Sequence, residues 1–197
     1  MINDLLTRYP ALKECENDIS KGAELITNTF LNKNKVLICG NGGSAADCDH
    51  MSGELLKGFL SKRSVCDENV PEDMREYLQG SLPAVPLTSL TSALTASIND
   101  LEPEMVYAQL LYGLAVKGDL LIAVSTSGNA ENVYNCARLA RSLGVKVLSL
   151  TGKSGGKLYE LSDIAIRVPE SETYKVQELH LPVYHYLCAC VEKNIFG

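Results

Sequence analysis

The stretch KVLICGNGGSAADCDHMSGELLKGFL, residues 35–60, changes character twice. Residues 35–39 are a short apolar run with β-branched members, the pattern of a parallel strand buried on both faces. The run leads into the glycine-rich turn GNGG (40–43), and Ser44 is a good N-cap for a helix over 44–60. Glycines allow close backbone approach, and the amides that open a helix lack partners within it and point at any bound anion. The turn is not GxGxxG and no GK[ST] follows, so it implies neither a dinucleotide site nor a nucleotide P-loop. Alone, it serves equally well as a structural connection.

The same alternation continues along the chain. LLIAVS (120–125) is the strongest strand, VKVLSLTG (145–152) and IAIRVP (164–169) give two more, and PAVPL (83–87), with two prolines, reads as an edge strand. Residues 3–31 read as helical, with Leu5, Leu12, Ile19 and Leu25 among charges and a break or helix start at Pro10. The last helix is expected from about Thr173 to Asn194. Residues 61–82 read as a surface insert with a short helix near PEDMREYL. Together these predict one doubly wound, flavodoxin-like α/β domain over 1–197, a parallel sheet with helices on both faces. Ligands of such folds collect at the carboxyl ends of the strands.

A second cradle, STSGN (125–129), follows the strongest strand directly. Its hydroxyls and free amides can hold a phosphate without a formal positive charge. That suits a chain of net charge −6 with no Lys/Arg stripe, a composition that argues against nucleic acid as ligand. No stretch has the length of a membrane span, and the N-terminus lacks the apolar core of a signal peptide. Seven dispersed cysteines, odd in number and without a CxxC pair, fit a reduced cytoplasmic protein.

There are three histidines. His50 and Glu54 are four apart on the predicted helix and share a face, which suits two ligands of one metal, a base beside its orienting partner, or a solvated pair. Gln177 and His185 lie eight apart on the last helix, within about 80° of each other on an ideal helix. His180 points elsewhere, and Pro182 is expected to kink the segment. Taken singly, each histidine also fits a satisfied core or interface residue.

In combination, CGNGGSAAD, the His50–Glu54 pair, ND (99–100), STSGN, LTGKSGG (150–156) and VQELH…H resemble the phosphoheptose isomerases, a family of sugar-isomerase (SIS) domain proteins. The resemblance covers almost the whole chain in order, with a longer insert near 61–82. It implies a homotetramer with active sites near subunit boundaries. The implied reaction turns sedoheptulose 7-phosphate into D-glycero-D-manno-heptose 7-phosphate, a step towards bacterial surface heptoses, with one Zn2+ per site. By the same resemblance His50, Glu54, Gln177 and His185 would hold zinc. Asn41, Gly42, Gly43, Ser44, Asn99, Asp100 and Gln177 would contact the sugar, and Ser125, Thr126 and Ser127 the phosphate. Glu54 would move the proton between C1 and C2, with His185 as acid/base partner on the oxygens. Three positions depart from the family pattern: Ala130 replaces a serine, Lys57–Gly58 stand where an arginine is usual, and Lys175 replaces a second arginine. The departures leave open a related phosphosugar. A non-catalytic SIS adaptor would lack counterparts of Glu54 and His185, and a phosphosugar sensor would bind without turnover.

Overall fold

The computed structural model describes residues 1–197. Its order is α1 (Ile2–Arg8), a 3-10 segment (Pro10–Cys15), α2 (Glu16–Leu31), β1 (Val36–Gly40), α3 (Gly43–Leu56), α4 (Glu72–Arg75), β2 (Ala84–Pro86), α5 (Thr91–Asp100), α6 (Val106–Leu114), β3 (Leu120–Val124), α7 (Glu131–Ser142), β4 (Lys146–Thr151), α8 (Leu158–Leu161), β5 (Ile164–Arg167) and α9 (Thr173–Phe196). The five strands are parallel in the order β2-β1-β3-β4-β5, and β2 is the short edge strand. This is the α/β architecture expected from the sequence. Pro10 opens the 3-10 segment that separates the first two helices.

Strand side chains alternate between the two faces, as a period of two requires. Val36 and Ile38 of β1 and Leu120, Ile122 and Val124 of β3 join α2, α3 and α9 in one apolar core. Leu37, Cys39, Leu121 and Ala123 join α6 and α7 in the other. Both faces being covered, β1 and β3 are buried throughout, which explains their unbroken apolar sequence. The pairing of β1 with β3 sets Gly40 level with Val124, so the turns that follow the two strands are neighbours.

Two details depart from the sequence reading. The cap of α3 is Gly42, and Ser44 lies buried inside the first turn without a capping bond. The helix ends at Leu56 rather than residue 60, because Glu192 of α9 captures the next amides. Its carboxylate accepts from the backbone N–H groups of Phe59 (2.8 Å), Leu60 (2.8 Å) and Ser61 (3.1 Å), and from Nε of Arg63 (2.8 Å). As expected, the last helix, α9, runs through Pro182 without ending.

The insert is therefore not all surface. Arg63, 1% exposed, donates to the carbonyls of Leu55 (2.6 Å) and Glu54 (3.0 Å), the last turn of α3. Burial pushes Glu192 up, but the amides of Phe59 and Leu60 and the Arg63 guanidinium outweigh it and hold the carboxyl below its ordinary value. Removing one member of such a pair leaves the other charged and buried. Arg63→Met is expected to cost about 3–5 kcal/mol in urea unfolding, and Arg63→Met with Glu192→Met much less. A single-mutant loss below about 1 kcal/mol would contradict the assignment.

His180 has no hydrogen bond to either ring nitrogen and is fully buried. It is thus a core residue but not a satisfied one. Burial pushes it down to about 4, opposed by the Thr151 backbone, which lies near but outside hydrogen-bonding geometry. The unfolded chain then binds a proton that the folded chain refuses, so this contribution is complete above about pH 6.5 and is lost as pH falls towards 4. Between pH 7.5 and 4.5, unfolding free energy should fall by about 2–3 kcal/mol more in wild type than in His180→Leu. Equal losses in the two proteins would show that His180 does not drive the slope.

Candidate active site

Two loops at adjacent strand ends and one face of two helices make the site. The first loop is GNGG. Tyr107 donates its hydroxyl to the carbonyl of Gly40 at 2.5 Å, fixing the end of β1. The amides of Gly42 and Gly43 take no hydrogen bond within the chain. A Cβ on Gly43 would lie 2.6 Å from Nε2 of Gln177, so the glycine makes room for the Gln177 amide against the turn.

The second loop carries Ser125, Thr126 and Ser127. The amides of Thr126 and Ser127 also lack partners in the chain. The loop rests on the GKSGG segment after β4. A Cβ on Gly128 (φ +68°) would meet the Gly155 carbonyl oxygen at 2.0 Å, too close for any side chain. Asn41 and Asn132 exchange amide hydrogen bonds of 2.8 and 3.0 Å and tie the first loop to α7 beyond the second. These cradles present unpartnered amides and hydroxyls to one space with no lysine or arginine in them, the chemistry of a phosphate seat.

The helices supply the reactive groups. Nε2 of His50 lies 3.2 Å from Oε1 of Glu54, one turn on along α3. The His185 ring of α9 stands edge-on to His50 with centroids 5.0 Å apart, and Phe59 packs on its other side at 5.5 Å. Nδ1 of His50 is 2.9 Å from the hydroxyl of Tyr184. Burial first, and the charge on His50 second, hold His185 below its ordinary value against the pull of Glu54. At neutral pH its imidazole is thus free to accept a proton. Burial also raises the Asp47 carboxyl, opposed by the Tyr184 hydroxyl and by His50.

His50, Glu54 and His185 therefore form one cluster, while Gln177 lies at the GNGG turn and shares no hydrogen bond with the three. Asn99 and Asp100 do not join it: they are exposed at the end of α5, and Asn99 donates to Asp100 at 2.7 Å. Sequence reasoning missed Asn132, Tyr107, Tyr184 and Asp47. Only Asp47 lay in a quoted motif, and no spacing rule connects the others to the site.

A five-stranded parallel sheet with two glycine- and hydroxyl-bearing loops at neighbouring strand ends defines the SIS-domain class, and the SIS domain family model matches residues 2–152. Among curated relatives, the phosphoheptose isomerase of Aliarcobacter butzleri (strain RM4018) is 39% identical over 93% of this chain and 89% of its own. That of Helicobacter pylori (strain P12) is 39% identical over 98% and 97%. The solved structure of phosphoheptose isomerase from Neisseria gonorrhoeae superposes with a TM-score of 0.78 at 34% identity, covering 93% of this chain and 92% of that one. The chain belongs to the phosphoheptose isomerase family of SIS-domain proteins.

The loop-on-loop contact at Gly128 gives a test of the phosphate seat. Gly128→Ala combines a left-handed backbone with direct overlap on a carbonyl. It is expected to cost about 2–4 kcal/mol in thermal or urea unfolding and to abolish protection by inorganic phosphate. Unchanged stability and phosphate protection would show that the two loops are not packed as described.

Proposed function

We propose that the chain isomerises sedoheptulose 7-phosphate to D-glycero-D-manno-heptose 7-phosphate through an enediol. The observation that carries this reading is the Glu54–His50–His185 cluster beside two phosphate-type cradles, in a chain whose relatives bear the name of that activity. Ser125, Thr126 and Ser127, with the free amides beside them, seat the phosphate. Asn41, Gly42, Gly43, Ser44 and Gln177 orient the sugar over α3. Glu54 removes the proton from C1 and returns it to C2, while His185 shuttles a proton between the two oxygens.

While no three His, Cys, Asp or Glu side chains converge as a metal site in this structure, two of the donors, His50 and Glu54, are spaced to share a zinc ion. Imidazole and carboxylate are its usual ligands, and two of them bound tetrahedrally lie roughly 3.3 Å apart, close to the 3.2 Å between His50 Nε2 and Glu54 Oε1. His50, Glu54, His185 and Gln177 are the residues we assign to it, His185 and Gln177 turning towards the pair to complete the set. When bound, zinc would supply Lewis-acid stabilisation of negative charge on the substrate oxygens.

Two further readings belong to this proposal. Apolar side chains exposed on α5, α6 and their flanks (Ile98, Leu101, Met105, Tyr112, Leu114 and Val116) support self-association, which we take to be tetrameric. Asn99 and Asp100 would then complete a site at a subunit boundary. Seven free cysteines, five of them buried, support a cytoplasmic setting, and no helix is long and apolar enough to cross a membrane.

Turnover of sedoheptulose 7-phosphate, followed with and without added zinc, tests the reading. Glu54→Gln is expected to lower kcat by about 10²–10⁴-fold, with phosphate binding retained. Wild-type turnover in that variant would remove Glu54 as the base. If the folded wild type were inert on this substrate, activity on another phosphosugar would favour the alternative opened by Ala130 and Lys175. Inertness on all of them would favour a binding role.

A further inference from the structure

Past Leu56 the chain leaves α3 through an extended Lys57, and no N–H of the residues that follow turns back onto the helix end. The last carbonyls of a helix have no partner within it. Arg63 supplies one. Besides its bonds to the Glu54 and Leu55 carbonyls, its Nη1 reaches the Gly80 carbonyl at 3.4 Å, and its guanidinium carbon lies 5.0 Å from the centre of the Phe196 ring. Of the five N–H groups of the fork, three go to carbonyls and one to Glu192.

Glu192 carries the same construction to the other reactive group. It stands seven residues after His185 on α9, close to two full turns, so both point to the same side of the helix. Its carboxylate holds the Phe59 amide at 2.8 Å, and the Phe59 ring packs on the His185 imidazole with centroids 5.5 Å apart. One ion pair thus holds the backbone of Glu54 on one side and the ring that backs His185 on the other. A well-packed apolar pair of like volume often serves stability as well, so what the charged pair adds is geometry. A methionine could fill the space of Arg63 but could not hold two successive carbonyls of α3.

We propose that Arg63 and Glu192 are positioning residues that fix the Glu54 carboxylate relative to the His185 imidazole. The inference rests on the reading of Glu54 and His185 as the proton-transfer groups. Arg63 and Glu192 themselves are 1% and 3% exposed, out of a substrate's reach.

Three variants test it. Arg63→Lys keeps a charge opposite Glu192 but lacks the fork. Arg63→Met with Glu192→Gln removes both charges, while the glutamine oxygen can still accept from the Phe59 amide. Arg63→Met with Glu192→Met frees Phe59 as well. On sedoheptulose 7-phosphate, kcat should fall about 10–100-fold in each, with KM little changed. Amide hydrogen exchange at residues 53–56 should quicken in all three relative to β1 and β3, which report the global fold. The imidazole NMR signals of His185, identified by their loss in His185→Gln, should stay in place with glutamine at 192 and move with methionine there. Wild-type kcat in the folded variants, or wild-type exchange at 53–56, would overturn the role of Arg63. Exchange that quickens equally through β1 and β3 would also overturn it, by reducing the pair to general stability. His185 signals unmoved by methionine at 192 would overturn the role of Glu192. A wild type inert on every phosphosugar would instead overturn the proposed function, with exchange at 53–56 still deciding whether Arg63 holds the turn.

Discussion

The parallel pairing of β1 with β3 is the constraint on which the site depends. With Gly40 opposite Val124, both strands stop at the same height and release two loops side by side. A shift by one residue would turn Ile38 and Ile122 out of their core and Leu37 and Leu121 out of theirs, so burial on both faces fixes the register. The Asn41–Asn132 amide exchange then ties the first loop to α7, which follows the second loop. Nothing in either loop alone specifies that closeness.

The reactive groups are held by a second framework, the packing of α3 against α9. Each helix contributes to the other. Glu192 of α9 ends α3 by taking the amides of Phe59, Leu60 and Ser61, and Arg63 closes the last carbonyls of the same helix. Tyr184 and His185 of α9 in turn pack their rings against His50. Glu54 thus lies in a last helical turn that would fray if left to solvent, and the buried ion pair holds that turn in place. The base role proposed for Glu54 would call on this rigidity, since an error of an ångström in its position is costly to proton transfer.

What could be seen in the sequence follows the range of the forces involved. KVLIC and LLIAVS were legible because burial on both faces leaves a continuous apolar run, a local signature of a non-local fact. PAVPL was legible as an edge because proline cannot serve in the middle of a sheet. Ser44 misled because a serine before an apolar-periodic segment is a cap by composition, whereas the turn geometry gave that position to Gly42. The end of α3 was invisible, since the acceptor that stops it lies more than 130 residues away. His50 and Glu54 share a face by spacing alone, yet the expectation that they meet His185 and Gln177 came through family resemblance, and the fold brings only His185 beside them. Tyr184 and Asn132 belong to no motif. Their contacts exist only once the helices are in place.

The charge of the chain leaves one electrostatic question, how an acidic protein attracts a phosphate. Two cationic side chains near the loops are already engaged: Lys157 pairs with Glu131, and Lys175 with Glu172, while Lys153 of the GKSGG segment is exposed and makes no ion pair. Lys57 reaches to 3.9 Å from Glu54, beside the chemistry rather than the phosphate seat. The loops themselves add a field of unpartnered amides, those of Gly42, Gly43, Thr126 and Ser127, a partial charge that salt screens poorly at contact and that costs no side-chain ordering on binding. An arginine fork would hold a phosphate more tightly, but amides and hydroxyls would hold it without placing a fixed cation beside Glu54 and His50, where we propose the zinc. The replacement of two family arginines by Lys57–Gly58 and Lys175 is in keeping with a seat built from backbone rather than from charge.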